Sequence, residues 1–249
     1  MDPVIVFIAI LVGYLLGAIS FARLVAGYAV PGEDISSTMM EIPSKDISFE
    51  MKSVSATSVM MHTGPKYGCL TSILDMVKVS IPTMVFMLMY PGEKYFLITA
   101  VAGVAGHNFP IYYKFKGGRG VSPIFGGLLV IDWLAIPITV LISNILGLAL
   151  FRNVMVAYTG FTILLIPWMW FRFHDWAYVA YAVSITLLFY LAMIPELKQY
   201  YHLWRAGELE GLDMDEVMET THMKYVLRMG KKMGFIKEKS DPESDAPVS

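Results

Sequence analysis

Residues 106–122 read GHNFPIYYKFKGGRGVS and lie between two long apolar runs. Three cations and three glycines fall within seven of these residues: Lys114, Lys116, Gly117, Gly118, Arg119 and Gly120. Glycine lets the backbone turn tightly, and successive N–H groups can then form a concave site for phosphate oxygens. A helix predicted to begin near Val121 would add its N-terminal donors. The stretch therefore indicates an anion site at a membrane edge, unless its cations serve membrane orientation alone.

The composition is typical of a membrane protein. Of the 249 residues, 56% are hydrophobic and 16% are charged, whereas a soluble domain carries about 25% charged residues. The mean hydropathy is +0.57, and the apolar residues form long blocks. The net charge of −2 gives no indication of nucleic-acid binding, and a single cysteine, Cys69, excludes an internal disulfide and a multi-cysteine metal site. We therefore expect an all-α integral membrane protein.

Several apolar runs are long enough to cross a hydrocarbon core of about 30 Å at about 1.5 Å per helical residue. They cover residues 4–26, 69–90, 95–113, 154–170 and 176–194. A further run, 121–151, is too long for one upright span. Asp132 and Trp133 interrupt it, and Pro137 follows. This run could be two short helices or a re-entrant pair.

The distribution of Lys and Arg favours one topology. If residues 121–151 go out and back, the basic loops and the C-terminal segment share one side, and the outer loops contain only Lys94 and Arg172. Cytoplasmic loops are enriched in Lys and Arg. We therefore predict about seven transmembrane or half-membrane helices, with the N-terminus outside and the C-terminus cytoplasmic. Residues 1–208 would form the membrane domain, and residues 209–249 a polar cytoplasmic tail that is partly disordered.

Polar side chains near these runs have both structural and functional interpretations. Asp75 and Lys78 are spaced i, i+3 within an apolar run, where ionisable groups pair with each other or face a cavity. His107 could be a hydrogen-bonded packing residue or a site residue. In the polar segment 27–68, residues 53–58 read SVSATS. Their hydroxyls could bind a phosphate, cap a helix or face solvent.

Three stretches resemble the bacterial acyl-phosphate:glycerol-3-phosphate acyltransferases, the PlsY family. Residues 106–122 resemble the family signature GHxFPxFxxFKGGKGVAT, with Arg119 in place of Lys and Ser122 in place of a small residue. Residues 14–21, YLLGAISF, are similar to YLLGSIPF, and residues 74–82, LDMVKVSIP, are similar to LDxxKGxxP. The resemblance extends to about residue 208.

Two further signatures of the family are altered in this chain. In the signature GSGNxGATNxxR, the replacements are Ser53 and Ser58 for Asn, Ser55 for Gly and Met61 for Arg. In the signature HxxNIxRLxxxxE, they are Glu196 or Leu197 for His, Gln199 for Asn and His202 for Arg, while Leu203 and Glu208 match. The lost arginine removes a group that could bind a phosphate through two hydrogen bonds.

The resemblance implies transfer of a fatty acyl group from acyl phosphate to the 1-hydroxyl of glycerol 3-phosphate, giving lysophosphatidic acid and phosphate. It implies no cofactor, no metal and no nucleic acid, and a place in the bacterial cytoplasmic (inner) membrane. The implied catalytic residues are His107, Lys78 and Ser58. The implied substrate- and phosphate-binding residues are Lys116, Gly117, Gly118, Arg119, Gly120, Ser122, Ser53, Ser55, Thr57 and Glu208. The alternatives are a catalytically silent or substrate-altered member of the family, and a small anion transporter.

Overall fold

The computed structural model describes residues 1–42, 47–151 and 153–208, most of which are helical. The helices are α1 Pro3–Gly17, α2 Phe21–Ala29, α3 Ala56–Thr63, α4 Pro65–Met89, α5 Tyr95–Asn108, α6 Val121–Ile131, α7 Ala135–Asn144, α8 Val154–Phe173, α9 Trp176–Ala192 and α10 Ile194–Arg205. A 3-10 turn covers Ile111–Tyr113 and a π-helical stretch covers Ile145–Leu150. The strands are β1 Thr38–Ile42 and β2 Ile47–Met51.

Three helical stretches are long and apolar enough to cross a membrane, namely Pro3–Ala29, Pro65–Met89 and Val154–Phe173. Helices α9 and α10, bent by 64° where they meet, would together form a fourth. In the most apolar windows of the three stretches, only 28%, 33% and 33% of the residues are buried inside the protein. Most of this apolar surface therefore needs lipid to cover it. The prediction of a mainly helical membrane protein is confirmed, while the number of spans and the sides of the termini stay predictions.

Capping side chains explain where several helices begin. Asp2, Asn153 and Asp175 each accept hydrogen bonds from first-turn N–H groups of α1, α8 and α9. The run 121–151 divides at residues 132–134 into α6 and α7, as its interrupting polar residues indicated. The predicted span 4–26 is also interrupted, because Ser20 caps a separate helix α2.

One element differs from the sequence-based prediction. The polar segment 27–68 contains an antiparallel hairpin of β1 and β2, with Thr38 opposite Met51, so the protein is not all-α. Pro195 lies in the first turn of α10, where a helix tolerates proline because that N–H has no intrahelical partner. The predicted tail, residues 209–249, lies outside the described residues.

Close packing brings α1 and α5 together along their lengths. A Cβ atom on Gly17 would lie 2.1 Å from the carbonyl oxygen of Gly103, so only glycine lets the two backbones touch there. The Tyr14 hydroxyl donates to the Phe109 carbonyl oxygen at 2.7 Å. Helix α4 packs against α1, α5 and α6, and α9 packs against α5 and α8. The C-terminal end of α5 therefore lies beside the junction of α1 and α2.

Candidate active site

The glycine-rich loop, residues 109–120, folds back against the end of α5. The Gly118 N–H donates to the His107 carbonyl oxygen at 3.2 Å, and the Val54 N–H donates to the Gly117 carbonyl oxygen at 3.1 Å. A Cβ atom on Gly118 would lie 2.3 Å from His107 Nε2. Gly120 has a φ of +90°, which glycine adopts without strain. The glycines are therefore needed for packing, and the Gly118 N–H that was predicted to face an anion already has an acceptor.

Lys116 is the exposed cation of this loop that lies next to Gly117. Its carbonyl oxygen accepts a 2.8 Å hydrogen bond from Nη2 of Arg23 on α2. Arg23 also donates to Ser20 Oγ at 3.2 Å, and its guanidinium lies 4.3 Å from the centre of the Tyr113 ring. Arg23 therefore holds the backbone of the loop and leaves the Lys116 ammonium exposed. Sequence reasoning did not assign Arg23 to the site, because 93 residues separate it from Lys116.

Arg119, in contrast, is buried in an ion pair. Its Nε and Nη2 lie 3.3 Å and 3.2 Å from Oε1 of Glu196 in the first turn of α10. Burial alone would lower the pKa of Arg119, but the Tyr158 phenol and the Glu196 carboxylate outweigh this cost and raise that pKa. Oε2 of Glu196 is buried and has no hydrogen-bond partner among the described residues. The predicted phosphate ligand Arg119 thus has an internal anion as its partner.

A second buried charge cluster connects α4 and α5. Lys78 Nζ lies 2.7 Å from Asp75 Oδ1, 3.0 Å from His107 Nδ1 and 2.7 Å from the carbonyl oxygen of Ile19, to which it donates. An ammonium group can only donate, so Nδ1 of His107 is the acceptor and the ring proton lies on Nε2. That nitrogen faces Gly118. The structure thus brings together two of the predicted catalytic residues, His107 and Lys78, and pairs them with Asp75.

The hydroxyl groups that were predicted to contact substrate form hydrogen bonds mainly within their own loop, residues 53–58. Ser58 is fully buried, and its hydroxyl donates to the Ser53 carbonyl oxygen. Ser55 caps α3 by accepting from the Ser58 N–H at 3.5 Å, and Thr57 is half-buried. Ser53 is also buried, and its Oγ has no hydrogen-bond partner among the described residues. Ser53 is therefore a buried residue of this loop whose hydroxyl group could still form a hydrogen bond.

Two other predicted binding residues lie apart from these clusters. Ser122 Oγ lies 2.8 Å from Ser72 Oγ, a contact between α6 and α4. Glu208 is exposed three residues beyond the end of α10, where the described chain ends. Both stay predictions as substrate contacts.

A cleft of about 370 Å³ lies between the hairpin and α10, and the sequence did not predict it. Its lining residues are Glu50, Lys52, Pro195, Gln199, His202 and Leu203. The Gln199 amide joins the two sides, because it accepts from the Glu50 N–H and donates to the Ser48 carbonyl oxygen, each at 3.3 Å. The cleft could not be predicted because the sequence did not indicate the hairpin. The hairpin places Glu50 and Lys52 opposite a helix about 150 residues away in sequence.

Direct contacts connect the parts of the chain that the resemblance singled out. The Val54–Gly117 hydrogen bond joins the SVSATS loop to the glycine-rich loop. The Arg119–Glu196 ion pair joins the glycine-rich loop to α10, and Gln199 joins α10 to the hairpin. Within residues 1–42, 47–151 and 153–208, no group of three or more His, Cys, Asp or Glu side chains is placed to hold a metal ion. The arrangement offers the exposed ammonium group of Lys52 in the cleft and that of Lys116 on the glycine-rich loop, and such groups suit a phosphorylated ligand.

Several known proteins are similar to this chain in sequence or in fold. The sequence profile of a family described as glycerol-3-phosphate acyltransferase matches residues 7–202. A glycerol-3-phosphate acyltransferase of Mycoplasma capricolum is 27% identical over 256 residues, covering 96% of this chain and 92% of that protein. One from Mycoplasma mycoides is 32% identical over 172 residues, covering 66% and 62%. The crystal structure of PlsY, an integral membrane glycerol 3-phosphate acyltransferase, in its glycerol 3-phosphate form has a similar fold, with a TM-score of 0.63, 24% identity and coverage of 86% and 98%.

Proposed function

The chain belongs to the glycerol-3-phosphate acyltransferase family, and on that premise we propose that it transfers a fatty acyl group from acyl phosphate to the 1-hydroxyl of glycerol 3-phosphate. The products are lysophosphatidic acid and inorganic phosphate. The observation that carries the proposal is the chain of contacts from the SVSATS loop through the glycine-rich loop to α10. These contacts join the segments that resemble the family signatures, beside a cleft that the exposed Lys52 lines.

The reaction needs little covalent help from the protein. The 1-hydroxyl oxygen attacks the carbonyl carbon of the acyl phosphate, the bond from that carbon to the phosphate oxygen breaks, and the phosphate leaves with the electron pair. The hydroxyl proton leaves with it, so charge and atoms balance. The protein has to hold two anions together, orient the hydroxyl and stabilise the developing negative charge. Exposed lysine side chains and unpaired hydroxyls suit these tasks.

The roles of the site residues follow from their contacts. Lys116 is exposed on the loop and is the cation that we assign to a substrate phosphate. Ser53 is the hydroxyl group that we assign to a hydrogen bond with substrate. His107 and Lys78 are positioning residues, because their polar atoms contact Asp75 and each other. Ser58, Ser55 and Thr57 shape the loop, and Gly117, Gly118 and Gly120 let it pack. Arg119 joins the loop to α10 through its ion pair with Glu196.

The proposed setting is the cytoplasmic membrane of a bacterium. The N-terminus would lie outside, and the glycine-rich loop, the hairpin and α10 would face the cytoplasm. The acyl chain would lie between apolar helices and enter from the inner leaflet. The distribution of Lys and Arg supports this orientation. It places the cleft on the side where glycerol 3-phosphate would arrive.

A second candidate is a member of the family that no longer catalyses the reaction or that uses another substrate. Two observations favour it. Met61 stands where the family has an arginine, and the charge of Arg119 is neutralised by Glu196. Both changes reduce the positive charge that is available to a phosphate.

A direct assay separates these candidates. The full chain is purified in detergent and given glycerol 3-phosphate with either palmitoyl phosphate or palmitoyl-CoA. We expect lysophosphatidic acid and phosphate to appear in equal amounts with palmitoyl phosphate, and no product with palmitoyl-CoA. Product from palmitoyl-CoA alone would contradict the proposed donor. Folded protein that gives no product with acyl phosphates of several chain lengths would contradict the proposed function and favour the second candidate.

A further inference from the structure

We propose that Lys52, supplied by the hairpin, binds the phosphate group of a substrate in this chain. This inference rests on the proposed function and concerns a residue that the family signature does not provide, because Lys52 stands at a glycine of GSGNxGATNxxR. Two phosphate groups could be the ligand, that of glycerol 3-phosphate and that of the acyl phosphate. Their chemistry toward an ammonium group is the same.

The backbone around Lys52 directs its side chain into the cleft. Its neighbours Met51 and Ser53 are 2% and 4% exposed, whereas the Lys52 side chain is 62% exposed. Alternate residues of an extended chain point to opposite sides, so two buried neighbours fix the lysine on the open side. The lysine lines the 370 Å³ cleft together with Gln199 and His202 of α10.

One hydrogen bond attaches the segment that carries Lys52 to the glycine-rich loop. The Val54 N–H donates to the Gly117 carbonyl oxygen at 3.1 Å. Lys52 is two residues before Val54. The segment that supplies Lys52 to the cleft is therefore joined directly to the loop that the family signature singles out.

The present partner of Lys52 does not prevent phosphate binding. Lys52 Nζ lies 3.1 Å from Oε2 of Glu50, on the same side of the hairpin. A solvent-exposed ion pair of this kind is weak, so a phosphate dianion can replace the carboxylate as the partner of Lys52. The buried cations Lys78 and Arg119 are different, since Asp75 and Glu196 already pair with them in places that water does not reach. Lys52 therefore supplies positive charge to a phosphate in a chain where Met61 replaces the family's arginine and Glu196 pairs with Arg119.

The test compares Lys52→Ala and Lys52→Arg with the matched control Lys198→Ala. Lys198 is an exposed lysine on α10 that does not line the cleft. Loss of a charge-assisted hydrogen bond weakens binding by about tenfold or more. We therefore expect Lys52→Ala to raise the KM for one substrate about tenfold, with kcat and the thermal midpoint unchanged, and Lys52→Arg to restore most of the affinity. The Lys198→Ala protein should behave as wild type.

The substrate whose KM changes identifies the phosphate that Lys52 contacts. A rise for glycerol 3-phosphate assigns Lys52 to the acceptor, and a rise for palmitoyl phosphate assigns it to the donor. Wild-type KM values for both substrates in an active Lys52→Ala protein would overturn the inference while leaving the proposed function intact. If the wild-type chain forms no product, calorimetric titration with glycerol 3-phosphate and with a non-hydrolysable acyl phosphonate applies the same criterion. Equal affinities of wild type and Lys52→Ala for both ligands would again overturn it.

Discussion

The charged groups of this protein fall into two regions that differ in their access to solvent. In the buried region, Lys78 pairs with Asp75 and Arg119 pairs with Glu196. In the open region, between the hairpin and α10, lysine and histidine side chains line a cleft of about 370 Å³. A buried charge is very costly without a partner, whereas an exposed one is solvated. Buried cations are therefore used to hold the fold, and exposed ones are available to a ligand.

This difference changes how the glycine-rich loop is understood. Its sequence presents Lys116 and Arg119 as equivalent phosphate ligands. The structure separates them, since Lys116 is exposed and Arg119 is 6% exposed against Glu196. The loop therefore has an inner face that attaches it to α5 and α10, and an outer face that carries the exposed cations Lys114 and Lys116. Variants on the two faces should differ in whether they change stability or substrate affinity.

The largest effect is expected from Asp75→Asn, which leaves Lys78 charged and buried. Removing one partner of a buried ion pair costs about 3–5 kcal/mol. We expect a correspondingly large fall in the free energy of unfolding, measured by denaturant titration in detergent micelles. The asparagine keeps the shape of the site, so the loss would report charge and not packing.

A double variant sharpens this test. Lys78→Met in the Asp75→Asn background removes the stranded ammonium, and we expect most of the lost stability to return. If the double variant is no more stable than Asp75→Asn, the buried ion pair is not what stabilises this region.

A smaller effect is expected from Glu196→Gln. The glutamine can still accept a hydrogen bond from Arg119, and the Tyr158 ring remains 5.8 Å from the guanidinium carbon. We expect a loss of about 3 kcal/mol in the free energy of unfolding, the lower end of the range for a broken buried ion pair, because these contacts remain. The KM for glycerol 3-phosphate should stay within about twofold, since this pair faces inward. A large rise in KM with unchanged stability would place Glu196 in contact with substrate instead.

The sequence was sufficient for the mainly helical character of the fold. Long apolar runs have few interpretations, so a helical membrane protein and the break at residues 132–134 could be predicted, while the number of spans stays a prediction. The hairpin could not be predicted, because two five-residue strands in a polar segment have a much weaker pattern than a membrane helix.

The residues of the candidate site could be predicted from the sequence, but the residues that they contact could not. The spacing of Asp75 and Lys78 indicated that they share a helix face, and they do form an ion pair. The pairing of Arg119 with Glu196 and the contact of Arg23 with Lys116 depend on which distant segments meet. No local pattern contains that information. The burial of Ser58 could not be predicted for the same reason. Its hydroxyl group donates a hydrogen bond to the backbone of its own loop.

The most direct test of the central claim is one pair of measurements on Lys116→Ala, the KM for glycerol 3-phosphate and the thermal midpoint, with Lys198→Ala as the control. Lys116 is exposed, so its loss should leave the thermal midpoint unchanged. Its ammonium binds a phosphate in this account, so the KM should rise about tenfold or more. A wild-type KM together with a lowered thermal midpoint would contradict the claim that the exposed cations bind substrate while the buried ones hold the fold.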